Sequence, residues 1–453
     1  MHPDLEENVL SRIKPDAAEI RRISEAVRNV IARAADYASS NFPPGGIRVE
    51  PTLVGSVSKN TFLRNPDVDV FVKFPDNVTR KELEKYGIAM GMAILDEPFL
   101  KYAEHPYVRG KSNNVAIDLV PCYSIRDSSA RMSAVDRTPF HTEFINRTMS
   151  ESQRDHVRLL KQFFKGTGVY GAEAKTHGFS GYLCELLVLA YRDFRSVVEA
   201  ASAWDYGTVI IPPGASLGDR LRDADSCLIV PDPVDRERNV AAALEKDSFA
   251  LSVLASRSYL NKPGLNFFFP PQEHLAPLSK IRDELERSGH GILMIKLPRP
   301  DIMEDNLYPQ LNKAVKNVSV LLNSHGFDVN RTLGYAGADI KLLFETVHRQ
   351  HPSKWVRAGP FGWSPNAQNF IAKHKSGGGD IFVAEGRLHS ETGKEFRTPE
   401  MLLRQKAKSV GFGADLDKLI QRMEIYAGDD VISPENREAL SRLLFHSFPW
   451  ERS

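Results

Sequence analysis

The sequence predicts an α+β protein with several domains, and three observations support this prediction. The chain has 453 residues, about three times the ~150 residues of a typical domain, and 42% of its residues are hydrophobic, which is enough for buried cores. Strand-like and helix-like patterns alternate near the N-terminus. An apolar helical region follows, and strands return after about residue 290.

The N-terminal region begins with an amphipathic pattern over residues 16–39, because Ile20, Ile23 and Val30 recur at helical spacing between Arg and Glu residues. The further elements predicted here are strands over Ile47–Val54 and Val68–Phe74, a helix over 79–95, strands over Tyr102–Val108 and Val115–Val120, and a turn over Arg109–Asn114 between the last two.

The stretch Gly55–Asp69, GSVSKNTFLRNPDVD, carries the chemistry of this region. Its Gly-Ser turn is a candidate phosphate-binding site. Asp67 and Asp69 are at i and i+2 on a predicted strand, so both carboxylates are expected on one face. Asp118 lies in the apolar strand Val115–Val120, where a carboxylate is costly to bury unless a cation or donor compensates. If the two strands are neighbours, the three carboxylates form a two-metal site for nucleotidyl transfer.

The rest of the chain changes from helical to mixed character. An amphipathic helix with one apolar and one basic face is predicted over Asp155–Lys165, and a buried helix is predicted over Ser180–Tyr191. The later predicted elements are a helix over 239–256, a split β-α-β arrangement of Gly291–Leu297, Asp305–Ser324, Val329–Tyr335 and Asp339–Val347, a turn over Gly377–Gly379, a strand over Ile381–Leu388, and helices over 398–409, 415–427 and 434–445.

Composition excludes several classes of protein. The net charge of +1 shows no overall excess of basic residues, so any surface that binds nucleic acid must be a local basic patch. No apolar run approaches the roughly 18 residues that span a bilayer, and the charged N-terminus does not read as a signal peptide. The three cysteines fit no zinc spacing and leave an odd thiol. A cytoplasmic protein with buried, reduced cysteines is therefore expected.

Longer segments carry a resemblance to a known family. The chain resembles the class I, archaeal-type CCA-adding enzymes, the tRNA nucleotidyltransferases of the DNA polymerase β superfamily. The Gly-Ser and Asp-X-Asp pattern is shared across that superfamily, whereas the later segments are similar to this family specifically. The resembling segments are GSVSKNTFLRNPDVDVFVKFP (55–75), YAEHPYVRG (102–110), VAIDLVPCY (115–123), SAVDRTPFH (133–141), RLLKQFFKGTGVYGAEAKTHGFSGYLCELL (158–187), VPDPVDRERNVAAAL (230–244) and KLPRPDIMEDNLYPQL (296–311).

The resemblance implies a polymerase-β-like head with a mixed sheet over residues 1–150, a helical central domain over 151–257 that completes the nucleotide pocket, and an α+β C-terminal body and tail for tRNA binding over 258–453. It implies that Asp67, Asp69 and Asp118 are catalytic and bind Mg²⁺. The residues implied in ATP or CTP binding are Ser56, Lys59, His141, Lys161 and Tyr170, mostly at ribose and phosphates, and Arg238 at the base edge.

Two positions depart from the family pattern. The first carboxylate is Glu in some relatives and is the shorter Asp67 here, after a loop that is one residue shorter. Lys59 replaces a frequent Arg, and Lys contacts phosphate as a point charge instead of a bidentate fork. For several of these residues a structural interpretation remains beside the functional one: Asp-X-Asp pairs occur on solvated strand edges, and Lys161 and Arg238 lie among charges typical of solvated faces.

The implied activity is template-independent addition and repair of the 3′-terminal CCA of tRNA from CTP and ATP. The tRNA 3′-hydroxyl attacks the nucleotide α-phosphate with two metal ions present, and pyrophosphate leaves. The implied RNA partner is tRNA, bound at its acceptor stem and TΨC arm. The sequence does not decide between a monomer and a homodimer. Two alternatives remain: an enzyme resembling poly(A) polymerase or oligoadenylate synthetase, and a catalytically inactive RNA-binding relative.

Overall fold

The computed structural model describes residues 3–42, 47–102, 106–125, 135–375 and 380–452. The chain forms two compact units, Met1–Gln272 together with Phe448–Ser453, and Glu273–Ser447. Two sequence predictions fall partly or wholly outside the described residues: the strand over Tyr102–Val108, at residues 103–105, and the turn over Gly377–Gly379. The division into three domains stays a prediction.

The first unit contains a sheet and a helical region. Its helices are α1 (Pro3–Ile13), α2 (Ala17–Asn41), α3 (Gly55–Ser58), α4 (Arg80–Ile94), α5 (Thr138–Thr148), α6 (Glu151–Thr167), α7 (Gly181–Tyr191), α8 (Phe194–Ala201) and α9 (Lys246–Asn261). Its strands are β1 (Glu50–Val54), β2 (Val68–Phe74), β3 (Asp96–Tyr102), β4 (Pro106–Ser112), β5 (Val115–Tyr123), β6 (Thr208–Val209), β7 (Leu228–Ile229), β8 (Pro231–Asp232) and β9 (Asp235–Asn239).

The sheet of the first unit is mixed, with strand order β1-β2-β5-β4-β3. β2 and β5 run parallel, and the other neighbouring strands are antiparallel. Alternation along the strands separates two faces: Val70 and Leu119 belong to the core beneath α2 and α4, whereas Asp69 and Asp118 point away from it. The expected neighbourhood of the two aspartate-bearing strands is confirmed, because Asp69 lies directly opposite Asp118.

The hairpin between β4 and β5 corrects the predicted turn over Arg109–Asn114. Only Asn113 and Asn114 form the turn, both with positive φ (49° and 60°), and β4 extends through Ser112. Asparagine tolerates positive φ better than most residues, so a two-residue Asn-Asn turn is favoured here. Arg109 is consequently a strand residue, directly opposite Asp118.

The helical region of the first unit surrounds a large apolar core. α6 and α7 are both present as predicted, with α6 extended to Glu151–Thr167 by a capping box at Ser150. The helix predicted over 239–256 begins later, at Lys246, because residues 235–239 form β9. Aromatic residues dominate this core, and Phe163, Phe179 and Phe194 are fully buried in it.

The second unit is also α+β. Its helices are α10 (Leu278–Ser288), α11 (Glu304–Ser324), α12 (Ala367–Lys375), α13 (Pro399–Lys406), α14 (Ala414–Asp417) and α15 (Arg437–Leu444). Its strands are β10 (Gly291–Pro298), β11 (Val329–Ala336), β12 (Asp339–Thr346), β13 (Trp355–Phe361), β14 (Ile381–Ala384), β15 (Arg387–Thr392) and β16 (Glu424–Ala427). They form an antiparallel sheet β11-β12-β10-β16 and a smaller one, β13-β15-β14.

Two predictions for the second unit were wrong. The helix predicted over 415–427 ends in strand β16, which pairs with β10 through Ile425 and Ile295. The single strand predicted over Ile381–Leu388 is two strands joined at Gly386, whose φ of 76° turns the chain. Pairing with the distant strand β10 decided the structure of the first segment, and the turn at Gly386 decided that of the second.

The close packing of α4 on the sheet gives a stability prediction. A Cβ atom on Gly91 would overlap the side chain of buried Val108 on β4. Gly91→Val should therefore lower the free energy of unfolding of the first unit by about 1–3 kcal/mol, through overpacking. Denaturant unfolding measures this loss. Ala93→Val, on the exposed face of the same helix, is the control and should cost only a few tenths of that; equal losses in both variants would contradict the packing.

Candidate active site

A cavity of about 410 Å³ in the first unit gathers most of the predicted site residues. Its lining contains Ser56, the three aspartates, Lys161 and Tyr170. It also contains Lys165, which the sequence did not single out and whose Nζ lies 5.5 Å from the centre of the Tyr170 ring. Three predicted residues, Lys59, His141 and Arg238, do not line this cavity and are described below.

Two of the three carboxylates, Asp67 and Asp118, are bound by Arg109. Its guanidinium forms a fork with Asp118, from Nε to Oδ1 at 2.5 Å and from Nη2 to Oδ2 at 2.6 Å. Nη2 also lies 2.7 Å from Asp67 Oδ2. Asp118 is 7% exposed, so its charge needs this partner. The hydrogen bonds with Asp118 in turn raise the pKa of Arg109.

Asp69 lies between the Gly-Ser turn and the other two carboxylates. Burial raises its pKa to about 7, and the charges of Asp118 and Asp67 act in the same direction. Gly55 has φ of 71°, and a Cβ atom there would fall on Asp69 Oδ2. The position thus requires glycine both for its backbone conformation and for the space that the carboxylate occupies.

The donor set fits a divalent cation. Asp69 and Asp118 on adjacent strands, with Asp67 immediately before β2, supply the oxygen ligands that hard cations prefer, and the guanidinium of Arg109 is one cation that two of these carboxylates already bind. Over the described ranges, no three acidic, histidine or cysteine side chains are arranged as a ready metal cluster. Arg109 holds both oxygens of Asp118 and one oxygen of Asp67.

Behind the cavity, Glu185 of α7 forms a second charged centre. It is fully buried and contacts Lys59 Nζ at 2.5 Å, Lys161 Nζ at 3.5 Å and the hydroxyl of Thr61 at 2.6 Å. Burial lowers the pKa of Lys161. Burial alone would raise the pKa of Glu185, but Lys59 and Lys161 lower it, so the carboxylate stays charged. The two lysines therefore share one buried counter-ion.

The loop after the Gly-Ser turn is fixed to α6 by buried cations. Arg158 donates to the carbonyls of Phe62 (3.0 Å) and Asn60 (2.7 Å), and Lys161 donates to the carbonyl of Thr61 (3.0 Å). Hydrogen bonds from charged donors are stronger than neutral ones. They hold the segment between the Gly-Ser turn and the aspartates in one position.

A third centre surrounds Asp232, which is fully buried. His141 Nε2 lies 2.8 Å from Asp232 Oδ2, Arg238 Nη1 donates to the same oxygen at 2.8 Å, and the Tyr182 hydroxyl donates to Oδ1 at 3.1 Å. The rings of His141 and Tyr182 are stacked at 4.0 Å, and Lys59 Nζ lies 5.4 Å from the Tyr182 ring. The three predicted residues outside the cavity thus form one connected group.

The charge state of this centre follows from its pKa shifts. Burial lowers the pKa of His141, so the imidazole is neutral near pH 7 and donates a hydrogen bond from Nε2. Burial alone would raise the pKa of Asp232, but its hydrogen bonds lower it to about 2. Since His141 is neutral, Arg238 is the cation that balances Asp232.

Sequence reasoning missed Arg109, Glu185 and Asp232. A signal existed for each of them. The Asn113-Asn114 pair indicates a two-residue turn, and counting back from it places Arg109 opposite Asp118. Glu185 is the one acidic residue of the otherwise apolar α7, and a lone buried acid requires a cation. Asp232, between two prolines, carried the weakest signal.

Comparison with known proteins identifies the family. Residues 31–141 match the family model "Nucleotidyltransferase domain", residues 155–269 match "tRNA nucleotidyltransferase, second domain", and residues 288–428 match "CCA-adding enzyme, C-terminal domain". The CCA-adding enzyme of Methanothermobacter thermautotrophicus is 37% identical over 459 residues, which cover 98% of each chain. The chain belongs to the CCA-adding enzymes.

Other CCA-adding enzymes are similarly close to this chain. That of Archaeoglobus fulgidus is 35% identical over 406 residues, covering 89% of each chain, and that of Halobacterium salinarum is 34% identical over 433 residues, covering 94% of each chain.

The chain was also compared with solved structures. The structure of E. coli MS115-1 CdnC with ATP aligns at a TM-score of 0.43 and 15% identity, over 59% of this chain and 92% of that chain.

Membership of the archaeal-type CCA-adding enzymes confirms the resemblance, the α+β fold with its nucleotidyltransferase domain, and the activity. The chain is a tRNA nucleotidyltransferase that adds CCA to tRNA without a template, from nucleotide substrates. Nucleotidyltransferases of this kind generally depend on a divalent metal ion. In the part of the chain that the structure describes, no helix is both long and apolar enough to cross a bilayer.

The buried counter-ion gives a second prediction. Glu185→Gln leaves Lys59 and Lys161 buried without a balancing charge, so we expect a loss of about 3–5 kcal/mol in the free energy of unfolding of the first unit. Denaturant unfolding at pH 7 checks this loss. Glu199→Gln on α8 removes an exposed ion pair with Arg195 and should cost less than about 1 kcal/mol. Similar losses in the two variants would count against a structural role for Glu185.

A third prediction concerns the titration of His141. In the wild-type enzyme the pKa of His141 should lie below its ordinary value of 6.5, because burial opposes protonation. Asp232→Asn removes a charge that favours the protonated form, so the pKa of His141 should fall further. NMR of ¹³C-labelled histidine measures both values. Asp225→Asn, which removes an exposed partner of Tyr206, should leave the titration unchanged; a rise in the Asp232 variant would refute the assigned geometry.

Proposed function

We propose that Asp67, Asp69 and Asp118 are the catalytic carboxylates of this CCA-adding enzyme and that they bind Mg²⁺. The observation that supports this most strongly is the register of β2 and β5, which places Asp69 opposite Asp118 at the wall of the cavity. Asp67 lines the same cavity, and like Asp118 it forms an ion pair with Arg109. When bound, Mg²⁺ supplies Lewis-acid activation of the tRNA 3′-hydroxyl and neutralises triphosphate charge.

The other side chains of the cavity suit a nucleotide triphosphate. Ser56 presents a hydroxyl beside the Gly55 turn, and the lysines Lys161 and Lys165 line the same cavity. Tyr170 adds an aromatic side chain whose hydroxyl keeps its proton, because burial raises its pKa. With the loop behind them fixed to α6, these groups orient the α-phosphate for attack by the 3′-hydroxyl, with pyrophosphate as leaving group.

The group around Asp232 is proposed to bind the base and ribose of CTP or ATP. The Arg238 side chain is 32% exposed, so it is accessible to a base edge while its Nη1 donates to Asp232. Neutral His141, stacked on Tyr182, offers its ring to the ribose. Lys59 connects this group to the phosphate side through its contacts with Tyr182 and Glu185.

We further propose the domain roles implied by the sequence: residues 1–150 as the catalytic head, 151–257 as the domain that completes the nucleotide pocket, and 258–453 as the body and tail that bind the acceptor stem and TΨC arm. The match of residues 288–428 to the C-terminal domain of CCA-adding enzymes supports the last role. So does the exposed Trp355, over which Lys394 lies at 4.4 Å, because aromatic and basic side chains suit RNA. A cytoplasmic location is proposed from the three buried, free cysteines.

The proposed site makes a fourth prediction. Asp69→Asn should lower kcat by on the order of 10³-fold, equivalent to about 4 kcal/mol of lost transition-state stabilisation, because a ligand of the activating metal is weakened. The assay uses tRNA lacking its 3′ CCA, with Mg²⁺ and CTP, ATP or both, and reads product length and base order. Asp96→Asn, an exposed carboxylate on edge strand β3, is the control and should retain wild-type activity.

The same assay tests the RNA-binding proposal. A minihelix that carries only the acceptor stem and TΨC arm should be extended as well as whole tRNA, and light scattering of the complex distinguishes a monomer from a homodimer. Unchanged incorporation by the Asp69 variant would show that the carboxylates are wrongly assigned. Failure of the minihelix alone would overturn the proposed RNA contact and leave the catalytic site standing.

A further inference from the structure

Arg109 holds the oxygens that a metal ion would need. Its three short contacts take both oxygens of Asp118 and Oδ2 of Asp67. The fork geometry is the one in which a guanidinium binds a carboxylate most strongly. A divalent cation that binds Asp118 and Asp67 therefore competes with Arg109 for these oxygens.

The surroundings favour such an exchange. Asp118 is buried, so it requires a cation in either state, and Arg109 meets that need when no metal is bound. The Arg109 side chain is 22% exposed, so it has access to solvent when it is displaced. An incoming triphosphate would bring new anionic partners for the released guanidinium, which binds phosphate as readily as carboxylate.

We propose that Arg109 is a positioning residue that competes with the metal, so that metal binding becomes dependent on nucleotide. Without nucleotide, Arg109 holds Asp118 and Asp67 in place and weakens metal binding. With nucleotide, the released guanidinium would pair with the triphosphate, which would leave Asp118 and Asp67 free to hold the metal ion. This inference rests on the proposed metal-binding role of the three aspartates.

The test measures Mn²⁺ binding to the full-length enzyme by electron paramagnetic resonance, with no RNA present. Arg109→Gln should bind Mn²⁺ about tenfold or more tightly than wild type in the absence of nucleotide, since the competing charged hydrogen bonds are gone. A non-reactive CTP analogue with a methylene between the α- and β-phosphorus should strengthen Mn²⁺ binding strongly in wild type. It should do so much less in the variant.

Matched variants separate the possible results. Lys111→Gln removes a cation two residues along the same strand, paired with Glu97 at 2.5 Å, and should leave Mn²⁺ affinity unchanged. Arg109→Lys keeps the charge without the fork, so its affinity should lie between those of wild type and Arg109→Gln. Thermal melting checks whether Arg109→Gln folds. If it does not, the Mn²⁺ affinity of Arg109→Lys alone tests the competition.

Asp69→Asn distinguishes failure of this inference from failure of the site. If that variant binds Mn²⁺ as wild type does, the metal site lies elsewhere and the proposed site falls. If it loses Mn²⁺ while the Arg109 variants bind Mn²⁺ no more tightly than wild type, the competing role of Arg109 is overturned and the carboxylate site stands.

Discussion

The ion pair of Glu185 with Lys59 and Lys161 is the interaction on which the rest of the site depends. Glu185 comes from α7, Lys161 from α6, and Lys59 from the turn after the Gly-Ser motif, so one buried carboxylate joins three separate segments of the chain. Charges in an interior are stable only when they are balanced and hydrogen-bonded. The pair thereby fixes the position of the helical region against the loop that leads to Asp67 and Asp69.

The same principle recurs twice around it. Asp118 is balanced by Arg109, and Asp232 is balanced by Arg238. In each centre a buried acid holds basic side chains in place, including Lys59, Lys161 and Arg238, which the sequence links to nucleotide binding. Their charges are therefore positioned before any nucleotide arrives, and little rearrangement is required of them. Such preorganisation is the main contribution that a protein can make to phosphoryl and nucleotidyl transfer.

Much of the fold could be predicted from periodicity, because strand β2 and helices α2, α6 and α7 bury a continuous apolar face. The carboxylates could also be found, because the i, i+2 spacing of Asp67 and Asp69 and the apolar surroundings of Asp118 single them out. The partner of Glu185 could not be found in this way, because Lys59 and Glu185 are 126 residues apart and no local pattern records their contact. Strand β16 was missed for the same reason, because its pairing with β10 decides its structure.

The last described residues of the chain belong to the first unit, although the whole of the second unit precedes them. Trp450 is 3% exposed and stacks on Phe267 at 5.7 Å, within the aromatic core that also contains α6. During synthesis on the ribosome, residues 1–272 therefore emerge long before the tryptophan that completes their core. The first unit can complete this packing only after the second unit has been synthesised, so part of its aromatic core stays exposed to solvent in the nascent chain until then.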